Sequence, residues 1–221
     1  MFSAVSGTED AGWLYPSPLR RLDGSEGFTG HASAPFRVGD FWAWAYSDLR
    51  ANTIRGVLAE FLVARAVGDE RPMRVEWDNY DVVAPDGTRI EVKSSAYLQS
   101  WPQRRPSSLS FGRISAKEWD EATGAFSAER RVRADVFVFA VQTQRDPAAY
   151  DPLDVSHWRF WVVPGGVVRE RAGRTVGIGW VRRHGSGPHR YEDLATAIGA
   201  AAKQGATASD AGRPAHADDC G

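Results

Sequence analysis

The chain has 221 residues, enough for one domain of ordinary size with length left over for extensions. Its net charge of -1 confines any basic surface to local patches, and 43% hydrophobic residues with nine Trp and ten Phe give a core ample apolar area. The single Cys, Cys220, excludes an intrachain disulfide and a thiolate metal cluster, and suits a reducing cytoplasm as the expected location. No signal peptide is expected from Met1 to Leu19, and no stretch approaches the ~20 apolar residues of a membrane span.

Residues 1–38 are rich in Gly, Ser and Pro without periodicity and read as an N-terminal extension. The folded domain is expected over 39–200. Phe41 to Tyr46 is aromatic and opens a helical region. Asn52 is a fair N-cap for a helix over Thr53–Val67 that Gly68 ends. On that helix Ile54, Val57, Leu58, Phe61, Leu62 and Arg65 share one face at a period near 3.6. Three strands follow, Arg71–Trp77, Tyr80–Ala84 and Thr88–Lys93. Residues 94–134 are polar and basic, with a helix expected over Ser115–Ala122. The run Ala134–Val141 is almost continuously apolar at strand length, the pattern of a buried central strand. His157–Val163 reads as another strand and Tyr191–Ala200 as a final helix. From residue 201 to 221 large apolar side chains are almost lacking, so burial cannot offset ordering entropy and disorder is expected. The predicted class is α/β of the α+β type, a central mixed β-sheet flanked by helices.

The stretch Tyr80 to Lys93 carries the chemistry. Pro85 suits position i+1 of a type I turn and Asp86 suits i+2, while Gly87 can take the left-handed conformation that closes a three-residue loop with a bulge. That turn pairs Ala84 with Thr88, Val83 with Arg89, Val82 with Ile90 and Asp81 with Glu91. Val82, Ala84, Ile90 and Val92 then form an apolar face, and Asp81, Glu91 and Lys93 lie on the other. Opposed like charges repel and call for a cation. Two carboxylates on rigid strands suit Mg²⁺, which binds through one or two carboxylates plus waters and substrate phosphate. Lys93, on the same face, can reach a metal-bound water or the phosphate. The plainer reading is solvated charge on an exposed hairpin face, which such triplets commonly are.

Asp81 followed by Glu91-Val92-Lys93, with Glu60 on the preceding helix, resembles the PD-(D/E)XK nuclease superfamily, the restriction-endonuclease-like fold. The shared core is a helix, a three-strand meander, a helix and a further strand, similar to the order read here over Thr53–Val141. The family's Pro before the Asp is replaced by Tyr80. The resemblance implies that Asp81 and Glu91 ligate Mg²⁺ (Mn²⁺ substituting), with the Val92 carbonyl adding a third ligand and Glu60 holding the metal or its waters. It implies that Lys93 orients or deprotonates the attacking water. Gln99 resembles a polar residue that follows the motif in some members. The mechanism implied is metal-assisted hydrolysis of a phosphodiester.

Two basic stretches are candidates for nucleic-acid contact. Arg104, Arg105 and Arg113 lie beside Trp101 and Phe111, and Arg182 and Arg183 sit in an Arg-rich segment from Arg169 to Arg190. The expected partner is nucleic acid, DNA before RNA, with no membrane. A homodimer is the expected arrangement if a single-site nuclease of this size is to cut both strands. The expected function is a DNA endonuclease of restriction, defence or repair type. The alternatives are a catalytically silent member of the same fold, or an unrelated protein in which the Asp81/Glu91 pairing is accidental.

Overall fold

The hairpin turn sets the register of the site. Ala84 N–H donates to Thr88 O at 3.0 Å and Gly87 N–H to Ala84 O at 2.8 Å, and Gly87 takes a φ of 87°. Val82 faces Ile90 and Val83 faces Arg89, the pairing expected from the loop chemistry. In the computed structural model the described residues are 19–30, 35–76, 78, 80–120, 125–171 and 175–210, with the side chains of 116–131 and 206–210 excepted.

Two compact units divide between Ala43 and Trp44. In the first, Gly27 bridges Arg37, Val38 N–H donates to Glu26 O at 2.9 Å and Gly39 N–H to Gly24 O at 2.8 Å. Helix α1 spans Val38–Tyr46.

The second unit is built on a five-stranded sheet of order β1-β2-β6-β7-β9. Its strands are β1 (Val82–Val83), β2 (Arg89–Ala96), β6 (Val136–Gln142), β7 (Trp158–Pro164) and β9 (Ser186–His189). β2 and β6 are parallel and the other pairs antiparallel, so the sheet is mixed. Every residue of β6 is buried, as its apolar run requires of a strand covered on both faces. Helices α2 (Asn52–Val67) and α5 (Leu194–Asp210) supply Ala59, Leu62, Val63, Leu194 and Ile198 to one face, against Ile90, Val92, Val138 and Phe160. The other face carries Phe137, Phe139, Val141 and Trp161 beneath β3 (Ser110–Gly112), β8 (Thr175–Gly177), α3 (Gly165–Arg169) and α4 (Ile178–His184). β4 (Ala116–Asp120) and β5 (Ala125–Arg131) form a separate hairpin.

Several expectations are corrected. The N-cap of α2 is Ala51, and Asn52 Oδ1 instead accepts from Arg55 Nη2 at 2.5 Å. The buried face of α2 runs through Arg55, Ala59, Leu62 and Val63, leaving Phe61 exposed beneath the Arg65 guanidinium. No strand forms over 71–76, where Pro72 interrupts the run and Arg71 is drawn into ion pairs (Trp77 lies outside the described residues). Residues 116–120 form β4 and not a helix, because pairing with β5 outweighs local preference (Ala122 lies outside the described residues). The last helix begins at Leu194, after a 3-10 turn over Tyr191–Asp193, and α5 continues to Asp210, so residues 201–210 are helical where disorder was expected. Ala201 is buried in the α2–α5 core, with Ala202 packed against it, a gain the tail's lack of large apolar side chains had concealed. Residues 211–221 lie outside the described residues. Among the described residues no helix is long and apolar enough to cross a membrane.

Candidate active site

β2 alternates over Arg89–Lys93. Ile90 and Val92 are buried toward α2, while Glu91 and Lys93 sit on the opposite face, level with Phe137 and Phe139 of β6. Lys93 Nζ lies 2.5 Å from Glu91 Oε1, with side-chain exposures of 18% and 22%, so this pair is held in poorly hydrated surroundings.

Asp81 departs from the simple register. Its N–H donates to Ile90 O at 3.1 Å, whereas a continued ladder would turn that N–H away from β2. Asp81 is therefore an extra residue at the end of the pairing, in the manner of a bulge, and does not stand squarely opposite Glu91. The bulge aims its carboxylate across β2, where Oδ2 accepts from Val92 N–H at 2.7 Å.

Glu60 arrives from α2. It sits beside the apolar stripe of that helix, next to buried Ala59, and pairs with Arg74 through Oε2 and Nε at 2.5 Å. β1 is only two residues long, which leaves the sheet edge open for Glu60 to feel the charges of both Asp81 and Lys93. Burial, then the Asp81 charge, pushes the Glu60 carboxyl above the ordinary range, against the pull of Arg74 and Lys93. Burial also raises the Glu91 carboxyl; Lys93 opposes this while Asp81 and Glu60 add to it. Glu60, Asp81 and Glu91 thus lie within one another's fields, with Lys93 and Arg74 as their cations. Perturbed groups gathered in this way mark functional sites.

Among the described residues no three acidic or histidine side chains form a ready-made metal cage. The donor chemistry nonetheless suits Mg²⁺, which needs only one or two carboxylates and completes its shell with water. Asp81, Glu91, the Val92 carbonyl and Glu60 are all hard oxygen donors, and their crowding leaves negative charge in a poorly hydrated place. Gln99 is held elsewhere. Its Nε2 donates to Ala96 O at 3.0 Å and its N–H to Gln103 Oε1 at 2.7 Å, and none of its hydrogen bonds goes to the four charged residues. Arg104, Arg105, Arg113, Arg182 and Arg183 are all exposed.

The profile of the bacteriophage T4 endonuclease IV family matches residues 44–178, more than half of the chain. The chain belongs to that family. Membership in the endonuclease IV family implies a nucleic-acid hydrolase. The matched stretch contains Glu60, Asp81, Glu91 and Lys93, whereas Arg182 and Arg183 lie beyond it. No curated protein matches the chain.

Sequence reasoning missed two residues of this cluster. Arg74 was placed in a strand, yet it is the partner of Glu60. Arg71 was placed there too, yet its Nη2 donates to the Asp81 carbonyl at 2.7 Å and to Asp69 Oδ2 at 2.6 Å. The one signal for either was Pro72, which argues against a strand at that point.

Proposed function

We propose that the protein is a Mg²⁺-dependent DNA endonuclease with a PD-(D/E)XK-type site. The observation that carries the reading is the convergence of Glu60, Asp81, Glu91 and Lys93 from a helix, a strand end and a central strand into one cluster. Asp81, Glu91 and the Val92 carbonyl would hold the metal, with Glu60 on the metal or its waters and Mn²⁺ able to substitute. When bound, the ion would neutralise charge on the scissile phosphate and make water a better nucleophile.

Lys93 has two tasks in this scheme. Its ammonium steadies the charge that develops on the phosphate, and it orients the attacking water on the side of β2 away from α2. β2 fixes that geometry, because it is paired along its length with β6 and cannot shift without breaking the central sheet. Exposed Arg104, Arg105, Arg113, Arg182 and Arg183 would contact nucleic-acid phosphates. Cutting both strands of a duplex would take two copies, a homodimer. The reading places its action in the cytoplasm.

The test is cleavage of plasmid and of short single-stranded DNA with Mg²⁺ or Mn²⁺, comparing wild type with Lys93→Ala and Asp81→Ala. Metal-dependent cutting by wild type, lost in both folded variants, supports the nuclease and its site together. Cutting that survives both substitutions removes these residues from the chemistry. Tight binding without cutting on any substrate would favour a silent binding protein.

A further inference from the structure

We infer that Arg74 is a substrate-contacting residue, which holds Glu60 in the free protein and passes to the phosphate of the cleaved strand when metal and nucleic acid bind. This rests on the reading of the site as a metal-dependent nuclease.

Three observations lead there. Arg74 engages Glu60 through Nε alone, and among the described residues neither of its terminal nitrogens has a hydrogen-bond partner. Its side chain is 40% exposed while that of Glu60 is 14% exposed, so the guanidinium reaches outward to solvent from a more buried carboxylate. It also lies in the field of Asp81, which puts it beside the acidic cluster and not merely beside one helix.

Charge counting explains the exchange. Glu60, Asp81 and Glu91, with Glu76 also in the field of Arg74, outnumber Lys93 and Arg74, an excess of negative charge that repels an incoming phosphate. A divalent ion held by the carboxylates would offset that excess and admit a phosphodiester. Such an ion would compete with Arg74 for Glu60. A guanidinium released beside a bound phosphate, with its terminal N–H groups unused, has the fork geometry that takes two phosphate oxygens at once. Lys93 is tied to Glu91 on the other side, so the two cations would approach the phosphate from different elements.

The experiment measures binding of a labelled duplex DNA oligonucleotide by fluorescence anisotropy. Ca²⁺ serves as the hard oxygen-seeking ion, and uncut substrate is verified on a gel. Wild type, Glu60→Gln, Arg74→Ala, Arg74→Lys and the Glu60→Gln/Arg74→Ala double variant are compared across a salt titration. If Arg74 contacts phosphate, its loss weakens binding roughly tenfold or more in both the wild-type and Glu60→Gln backgrounds. The slope of log affinity against log salt then falls by about 0.9, the value for one phosphate contact. Arg74→Lys keeps the charge and therefore most of the slope, but loses affinity with the fork. If the double variant binds like Glu60→Gln with the same slope, Arg74 only props Glu60 and the inference fails while the nuclease reading stands. If wild type neither binds nor cuts DNA with any metal, the nuclease reading falls and the inference with it.

Discussion

Arg71→Ala should loosen the site from beneath. Arg71 Nε spans both oxygens of Asp69 at 3.1 and 3.0 Å, Nη2 adds a contact at 2.6 Å, and Nη1 reaches Asp78 at 2.9 Å. The Asp69 side chain is 5% exposed and also accepts from Val83 N–H at 3.2 Å, so this clamp ties the 69–81 segment to β1. Hydrogen bonds to charged groups contribute about 1.5–3 kcal/mol each, and stripping one partner from a fully buried pair costs about 3–5 kcal/mol. Arg71 is 27% exposed, so water can reach the vacated space, and a loss of about 2–3 kcal/mol is expected. Urea unfolding should show a lower midpoint at unchanged slope. Most of the cost is the charge left on Asp69, so adding Asp69→Asn should recover part of it, a loss smaller than the sum of the single effects. The pH dependence follows from the same clamp. Burial pushes the Asp69 carboxyl up, but the bonds from the Arg71 side chain, Arg71 N–H and Val83 N–H outweigh it and hold the group below its ordinary value. A depressed folded-state value gives stability that is fully present above the ordinary Asp value near 3.8. That contribution is lost as pH falls through the depressed value, and Arg71→Ala should flatten stability against pH in this acid window. Cleavage should also drop by more than the folded fraction explains, because the Asp81 carbonyl loses its anchor. A stability change under about 0.5 kcal/mol, or strictly additive losses in the double variant, would refute the clamp.

Other outcomes follow from the packing and the surface charge. Gly165→Ala should destabilise by more than about 3 kcal/mol, because an added Cβ would lie 2.1 Å from the Ala134 carbonyl oxygen. Gly166→Ala, where the Cβ would meet only the Arg169 side chain at 3.9 Å, should unfold near the wild-type midpoint and serve as control. Replacing exposed Arg182 and Arg183 by Glu should leave the fold intact and weaken DNA binding. The salt slope should fall by about 1.8 if both touch phosphate, and an unchanged slope would remove α4 from the interface.

What could be read in advance was what local chemistry decides. Pro85, Asp86 and Gly87 dictate their own turn, so the pairing of Val82 with Ile90 and the separation of Glu91 and Lys93 from the core face were legible. The apolar run of β6 announced its burial in the same way. Local pattern failed where a distant partner decides. Residues 116–120 became a strand because β5 pairs with them. The 71–76 segment lost its strand to the ion pairs of Arg71, and the partnership of Arg74 with Glu60 depends on how that loop returns along α2. The bulge at Asp81 also escaped, since a hairpin loop sets the register near the turn but not where the ladder ends.

The connection between β2 and β6 bears on how the protein comes to be active. β2 has a near neighbour in the chain, β1, but shares only two residue pairs with it, whereas its long partner β6 is reached only after residues 97–135. Closing a flexible loop of that size costs about 3 kcal/mol of chain entropy, and no favourable parallel pairing forms until it is closed. Glu91 and Lys93 therefore cannot be positioned by any short peptide around them, and a chain truncated before β6 would carry the full motif without a working site. Activity in a newly made chain should appear only once β6 has been synthesised and docked, later than the motif itself.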